Sequence, residues 1–275
     1  MDIDTVTEFA PAPGATWRDG DAWLGGGTWL FSQPQPGVRR LLDLQEFGWP
    51  ALTQTAAGLE IAATCTLAEL RVWRPSDRGW LAAALAPACC DALLGSFKVQ
   101  HMATVGGNIC LSLPAGPMTS LAAALDGVGT LIAPSGATRE VAVADFVTGD
   151  GTNVLTPGEL LRKVFVAAAA LRCRTAFRHV SLSPAGRSAV LVIARASAGA
   201  GAGGAHGGGE TVVTVTAATP RPLRLRFDGL PGADAVVAAL DEREPGYLDD
   251  MHGDAYWRRA MTRRCVAETV AELAG

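Results

Sequence analysis

The sequence predicts an α+β protein made of three consecutive units, and three observations carry that expectation. Its 275 residues, 49% hydrophobic and 18% charged, suffice for a large core and for two or three compact units. Up to about residue 170, strand-sized apolar runs alternate with helical stretches. Beyond it, three strand-sized runs come first and helical periods close the chain. The expected units are residues 1–55, 56–170 and 171–275.

In the first unit, Asp21, Ala22, Trp23 and Leu24 form a strand that meets a turn at Gly25, Gly26 and Gly27. A helix is expected to start at Thr28, Trp29 and Leu30. A Pro/Gln turn at 34–36 and a strand over 38–44 then follow. The second unit opens at 59–63, and Thr66 with Glu69 has the spacing of a capping box, so a helix begins there. Residues 79–94 are Ala/Leu-rich and helical by propensity, while 130–134 and 137–143 read as a hairpin around Ser135-Gly136. The third unit is expected to be a three-stranded antiparallel sheet (175–181, 189–196 and 211–217) with helices over 233–240 and 254–273. Between its second and third strands, residues 197–209 are almost all Gly and Ala, which predicts a mobile hairpin loop.

Charge and residue usage exclude several function classes. A net charge of -4 without a Lys/Arg run argues against nucleic acid. The start Met1-Asp2-Ile3-Asp4 lacks the positive region of a signal peptide, and no apolar stretch reaches membrane-span length, so a cytoplasmic protein is expected. The six cysteines never form C-x-x-C and the four histidines have no paired spacing, so no metal site is expected and the thiols should be free. No residue pattern announces a general acid or base, so no catalytic residue is assigned.

Glycine motifs remain. Gly199, Gly201 and Gly204 satisfy G-x-G-x-x-G, but a strand rather than a helix is expected to follow, which removes the helix N-terminus that a dinucleotide turn needs. Two other segments are better placed. Leu24, Gly25, Gly26, Gly27, Thr28 and Trp29 form one, and Thr104, Val105, Gly106, Gly107 and Asn108 the other. Paired glycines let successive amides turn toward one anion, and Thr and Asn add neutral hydrogen bonds, so a diphosphate can be cradled without lysine.

These two segments resemble the AGGTDL and TIGGN loops of the flavoprotein subunits and domains of the xanthine dehydrogenase and carbon monoxide dehydrogenase family of molybdenum hydroxylases. Further matches extend over nearly the whole chain: residues 38–44, 64–70, 121–126 and 148–161, and Tyr256-Trp257-Arg258 at the last helix. The resemblance implies a two-subdomain FAD-binding fold of the PCMH, vanillyl-alcohol-oxidase-like class, followed by a C-terminal domain of a three-stranded sheet and helices. It also implies that both loops bind FAD, that Leu155 packs near the flavin and that Arg178 stands where relatives can have a lysine near the cofactor. Two departures stand out: Trp29 replaces a polar or acidic residue, and Pro117 a carboxylate. In function, the family resemblance implies an FAD-dependent electron-transfer subunit of a heteromeric complex. Its partners would be a large molybdenum-cofactor subunit, a small subunit with [2Fe–2S] clusters, and NAD, quinone or oxygen as external acceptor. Two other readings stay open: a self-sufficient FAD oxidase or dehydrogenase of similar fold, in which the flavin is often covalently linked, and a flavin-free assembly or scaffold protein. Metal analysis separates the subunit reading from a self-contained enzyme: iron and molybdenum should appear only when the chain is purified with two further subunits, and stoichiometric iron in the isolated chain would contradict it.

Overall fold

The computed structural model describes residues 4–184, 186–200 and 209–275. Gly201 and Gly204, and with them most of the expected hairpin loop, lie outside the described residues. Near the N-terminus, β1 (Glu8–Pro11), β2 (Asp21–Leu24) and β3 (Arg40–Asp43) form a parallel sheet in the order β1-β3-β2. Asp21 and Arg40 face each other in the β2–β3 register and form a buried, two-pronged ion pair, with Nε to Oδ1 at 2.8 Å and Nη2 to Oδ2 at 2.6 Å. That guanidinium holds the Asp21 carboxyl below the usual carboxylate range. The helix expected at Thr28 does not form. The chain makes only a turn, with Phe31 N donating to Gly27 O and Ser32 N to Trp29 O, because glycines precede the segment and Pro34 and Pro36 follow it.

The central part is a five-stranded sheet with helices on it. β4 (Leu52–Gln54) and β5 (Gly58–Ala62) lead to α1 (Leu67–Val72), where Thr66 and Glu69 form the expected capping box. Next come α2 (Leu85–Asp91), α3 (Phe97–Met102), α4 (Val105–Leu111) and α5 (Pro117–Ala124). The hairpin at Ser135-Gly136 joins β6 (Val128–Ile132) to β7 (Thr138–Ala142), with Gly136 at φ +83°. After α6 (Val143–Phe146) and the small ladder of β8 (Val147–Gly149) with β9 (Thr152–Asn153), β10 (Leu160–Ala167) enters the sheet between β5 and β6, and α7 (Ala168–Leu171) ends the unit. The core lies between this sheet and α1, α2, α4 and α5. Leu67, Leu70, Ile109 and Leu131 are completely shielded there, which is the main apolar contribution to stability.

The C-terminal sheet has four antiparallel strands, where three were expected: β11 (Arg174–Val180), β12 (Val190–Ala196), β13 (Glu210–Thr216) and β14 (Leu223–Asp228). The additional strand, Leu-Arg-Leu-Arg-Phe-Asp, is an edge strand whose arginines interrupt its apolar character. α8 (Ala233–Glu242) and α9 (Ala255–Ala274) cover the sheet, with Asp254 capping α9 through Trp257 N at 2.8 Å. Three links fix this sheet to α5. The Ser120 and Thr216 hydroxyls share a hydrogen bond of 2.6 Å, Ala217 N donates to Pro114 O at 2.8 Å, and Arg195, Arg224 and Arg226 converge on Asp126 at the end of α5. Among the described residues, no helix is long and apolar enough to cross a membrane.

Arg258 of α9 is the largest completely buried side chain, and all of its bonds tie loops together. It donates to Gly253 O (2.9 Å), Ala189 O (2.6 Å), Ala217 O (2.8 Å) and Asp250 Oδ1 (2.6 Å). Removing it would leave the Ala189 and Ala217 carbonyls without a donor, while Gly253 O keeps Asp250 N and the exposed Asp250 carboxylate keeps His252 N, so Arg258→Ala should cost roughly 3–5 kcal/mol in chemical denaturation. A loss below ~1 kcal/mol would show that the guanidinium does not hold these segments.

Candidate functional site

β2 delivers Leu24 into the first glycine turn, which packs directly on residues 102–104 ahead of α4. A Cβ at Gly26 would fall on the Met102 carbonyl, and one at Gly25 would lie 2.9 Å from Thr104 Oγ1. Only glycine permits this approach of two backbones. On the other side, the end of β5 holds the start of α4: Val105 N donates to Cys65 O (2.8 Å) and Gly106 N to Ala63 O (2.9 Å). A Cβ at Gly106 would collide with Ala63. Thr104 caps α4 by accepting from Gly107 N at 3.1 Å, so its hydroxyl stands between the two glycine turns.

The space left between the turns is a cleft of about 550 Å³, within the range of small-molecule sites. Nine of the residues singled out from sequence line it: Leu24, Gly25, Gly26, Gly27, Thr28, Trp29, Thr104, Gly107 and Asn108. Val105 and Gly106 do not; they face the core and Ala63. Leu155 is absent from the lining and packs against the central core, its amide held by Asn153 Oδ1 at 2.9 Å. Arg178 is also absent; its guanidinium is paired with Glu268 (3.0 Å) and Glu272 (2.6 Å) on α9. Sequence reading missed the apolar wall of Leu93, Leu94, Val99, Leu111 and Leu113, and it missed Arg187 and Ser188 from the β11–β12 connection.

The donors in the cleft are unequally distributed. In α4 the first three amides are already taken by Cys65 O, Ala63 O and Thr104 Oγ1. By contrast, among the described residues no protein acceptor meets the amides of residues 25–30. Six consecutive amides without a protein acceptor, on a segment that is mostly half-buried beside the cleft, are free to face an anion or water. Asn108 uses Oδ1 to accept from Met118 N at 3.0 Å, closing the start of α5, and its amide nitrogen has no protein acceptor among the described residues. Trp29, 43% exposed, offers an aromatic face at the rim. The Cys110 thiol, pushed up to about 12 by burial, stays protonated and is a poor nucleophile. Among the described residues, no group of three His, Cys, Asp or Glu side chains is placed to hold a metal ion.

Residues 15–168, more than half of the chain, match the family described as the FAD binding domain in molybdopterin dehydrogenase. The chain belongs to this family. Its FAD-binding domain thus contains both glycine turns and the free amides, whereas Arg187 and the C-terminal sheet lie beyond the matched residues. The likeness in fold extends further. Carbon monoxide dehydrogenase from Oligotropha carboxidovorans superposes with a TM-score of 0.80 at 20% identity, covering 97% of this chain and 96% of the other. Carbon monoxide dehydrogenase from Hydrogenophaga pseudoflava gives 0.78 at 19% identity, and quinoline 2-oxidoreductase from Pseudomonas putida 86 gives 0.77 at 17%, both with the same coverage. A search of curated proteins gave no match. FAD is the cofactor of this molybdopterin-dehydrogenase domain, and the cleft suits it: amides for the diphosphate, an apolar wall for a ring, and no carboxylate in the lining to repel the anion.

The two glycine turns separate in a mutational test. At Gly107 an added Cβ meets only Thr104 Oγ1 at 2.9 Å, the hydroxyl that caps α4, and otherwise points into open space, so Gly107→Val should cost about one cap, roughly 1 kcal/mol, while abolishing flavin binding. At Gly26 the obstacle is backbone, so Gly26→Val should lose both flavin and stability. Gly201→Val, outside the described residues, should keep its flavin. Calorimetry and flavin titration of the three variants decide this, and full flavin affinity in Gly107→Val would refute the assignment of the second turn.

Proposed function

We propose that this chain is the electron-transfer subunit of a molybdenum hydroxylase, passing electrons from [2Fe–2S] clusters of a small partner subunit through FAD to an external acceptor such as NAD, quinone or oxygen. Substrate would be oxidised at a molybdenum cofactor in a large partner subunit. A bound flavin accepts electrons singly and releases them in pairs, so it can join one-electron clusters to a two-electron acceptor. The chain's own task is then to bind and orient. The amides of residues 25–30 and the Asn108 side chain would hold the polar middle of the cofactor, and Leu93, Leu94 and Leu113 would shield a ring from water.

The observation that carries this reading is the chemistry of the cleft wall. Among its described lining residues there is no Asp, Glu, His, Lys or Tyr, and the one thiol is held protonated. Such a wall can bind a flavin but offers no general base to a substrate of its own, which favours an electron relay over a self-sufficient oxidase. Its one thiol among the described lining residues, Cys110, is a poor nucleophile for a covalent flavin link. Purified full-length protein should show an oxidised-flavin absorption spectrum and release FAD, not FMN, on heat denaturation. FMN alone would refute the proposed cofactor placement, a covalently retained flavin would favour the oxidase, and colourless protein even after co-expression with partners would favour a flavin-free scaffold.

A further inference from the structure

Arg187 is the one charged side chain among the described residues lining the cleft. It comes from the C-terminal sheet, outside the family-matched segment, and nothing in its local sequence marks it. Arg187 is half-buried, and no carboxylate of the described residues pairs with it. Its mount is rigid. Ser188, buried next to it, donates to Ala92 O at 3.4 Å, Ala189 N donates to Val180 O at 2.9 Å, and Ala189 O accepts from the buried Arg258. These bonds hold the start of β12 against the cleft wall, so the direction from which Arg187 enters is fixed by the fold.

We propose that Arg187 is the counter-charge of the FAD diphosphate, supplying across the cleft the cation that the two glycine turns lack. This rests on the FAD reading above. The guanidinium of a half-buried arginine in a cleft without carboxylates loses water when a ligand covers it, and a permanent negative charge offsets that loss most fully. The diphosphate carries its charge in every redox state, whereas the oxidised ring is neutral. Coulomb attraction between Arg187 and the diphosphate then acts through a low-dielectric, uncharged wall, while the amides of residues 25–30 provide the directional bonds. Arg178, tied to Glu268 and Glu272, has its charge already neutralised and does not supply this cation.

The test is equilibrium titration of full-length, flavin-stripped protein with FAD and with ADP, which keeps the diphosphate and omits the flavin, at low and high salt. Arg187→Gln should weaken both ligands roughly tenfold at low salt, while Arg187→Lys should retain most of the affinity. Wild-type affinity should fall with salt, and that dependence should flatten in Arg187→Gln. Two results would each overturn the proposal: a wild-type FAD affinity that ignores salt, or unchanged FAD and ADP affinities in Arg187→Gln, and in the second case a shifted flavin midpoint potential would place the guanidinium on the ring. The first needs no variant, so a misfolded Arg187→Gln protein still leaves a decision. Wild-type protein that binds no FAD would instead defeat the functional reading itself.

Discussion

The site depends on one steric constraint, the contact of backbone on backbone where the first glycine turn meets residues 102–104. Because Gly26 has no Cβ, its chain can rest on the Met102 carbonyl, and Gly25 can approach the Thr104 hydroxyl. Gly106 applies the same device one layer deeper, where α4 starts against Ala63. These contacts bring the parallel N-terminal sheet and the central sheet together along a seam, and the cleft is the part of the seam that no side chain fills. The glycines therefore have two separate duties. Gly25, Gly26 and Gly106 let the protein close on itself, while Gly107 leaves room for a ligand.

Electrostatics divides in the same way. Strong ion pairs lie away from the cleft: Asp21 with Arg40 inside the N-terminal sheet, and Asp126 with three arginines where the C-terminal sheet meets α5. They fix register and docking. The cleft wall, by contrast, is uncharged except at Arg187, and neutral peptide dipoles supply its polarity. A wall of this kind binds an anion without titrating near neutral pH, since amides hold their protons throughout.

Much of this was legible in sequence, for local reasons. Thr66 with Glu69 and Ser135-Gly136 each signal an element boundary through chemistry confined to a few residues. Both glycine turns were visible for the same reason. Elements defined by distant partners were not. β1 and β14 are short or charged edge strands, and β10 becomes central only because β5 and β6 flank it. Within the site, nine of the thirteen residues chosen from sequence line the cleft; Val105, Gly106, Leu155 and Arg178 do not, because their surroundings are set by Ala63, the central core and α9. Arg187 was invisible since its position follows from how the C-terminal sheet docks.

The unpaired amides of residues 25–30 have a consequence for the life of the protein before it binds its cofactor. An empty turn leaves them to water, whereas on the proposed placement a bound cofactor would satisfy them, which would link cofactor and fold thermodynamically. At a ligand concentration a hundred times Kd, such linkage adds about 2.7 kcal/mol to stability. A chain that has acquired its cofactor therefore opens less often than one that has not, and proteases that attack opened chains discriminate between them. Loading becomes a form of quality control, with survival as its readout.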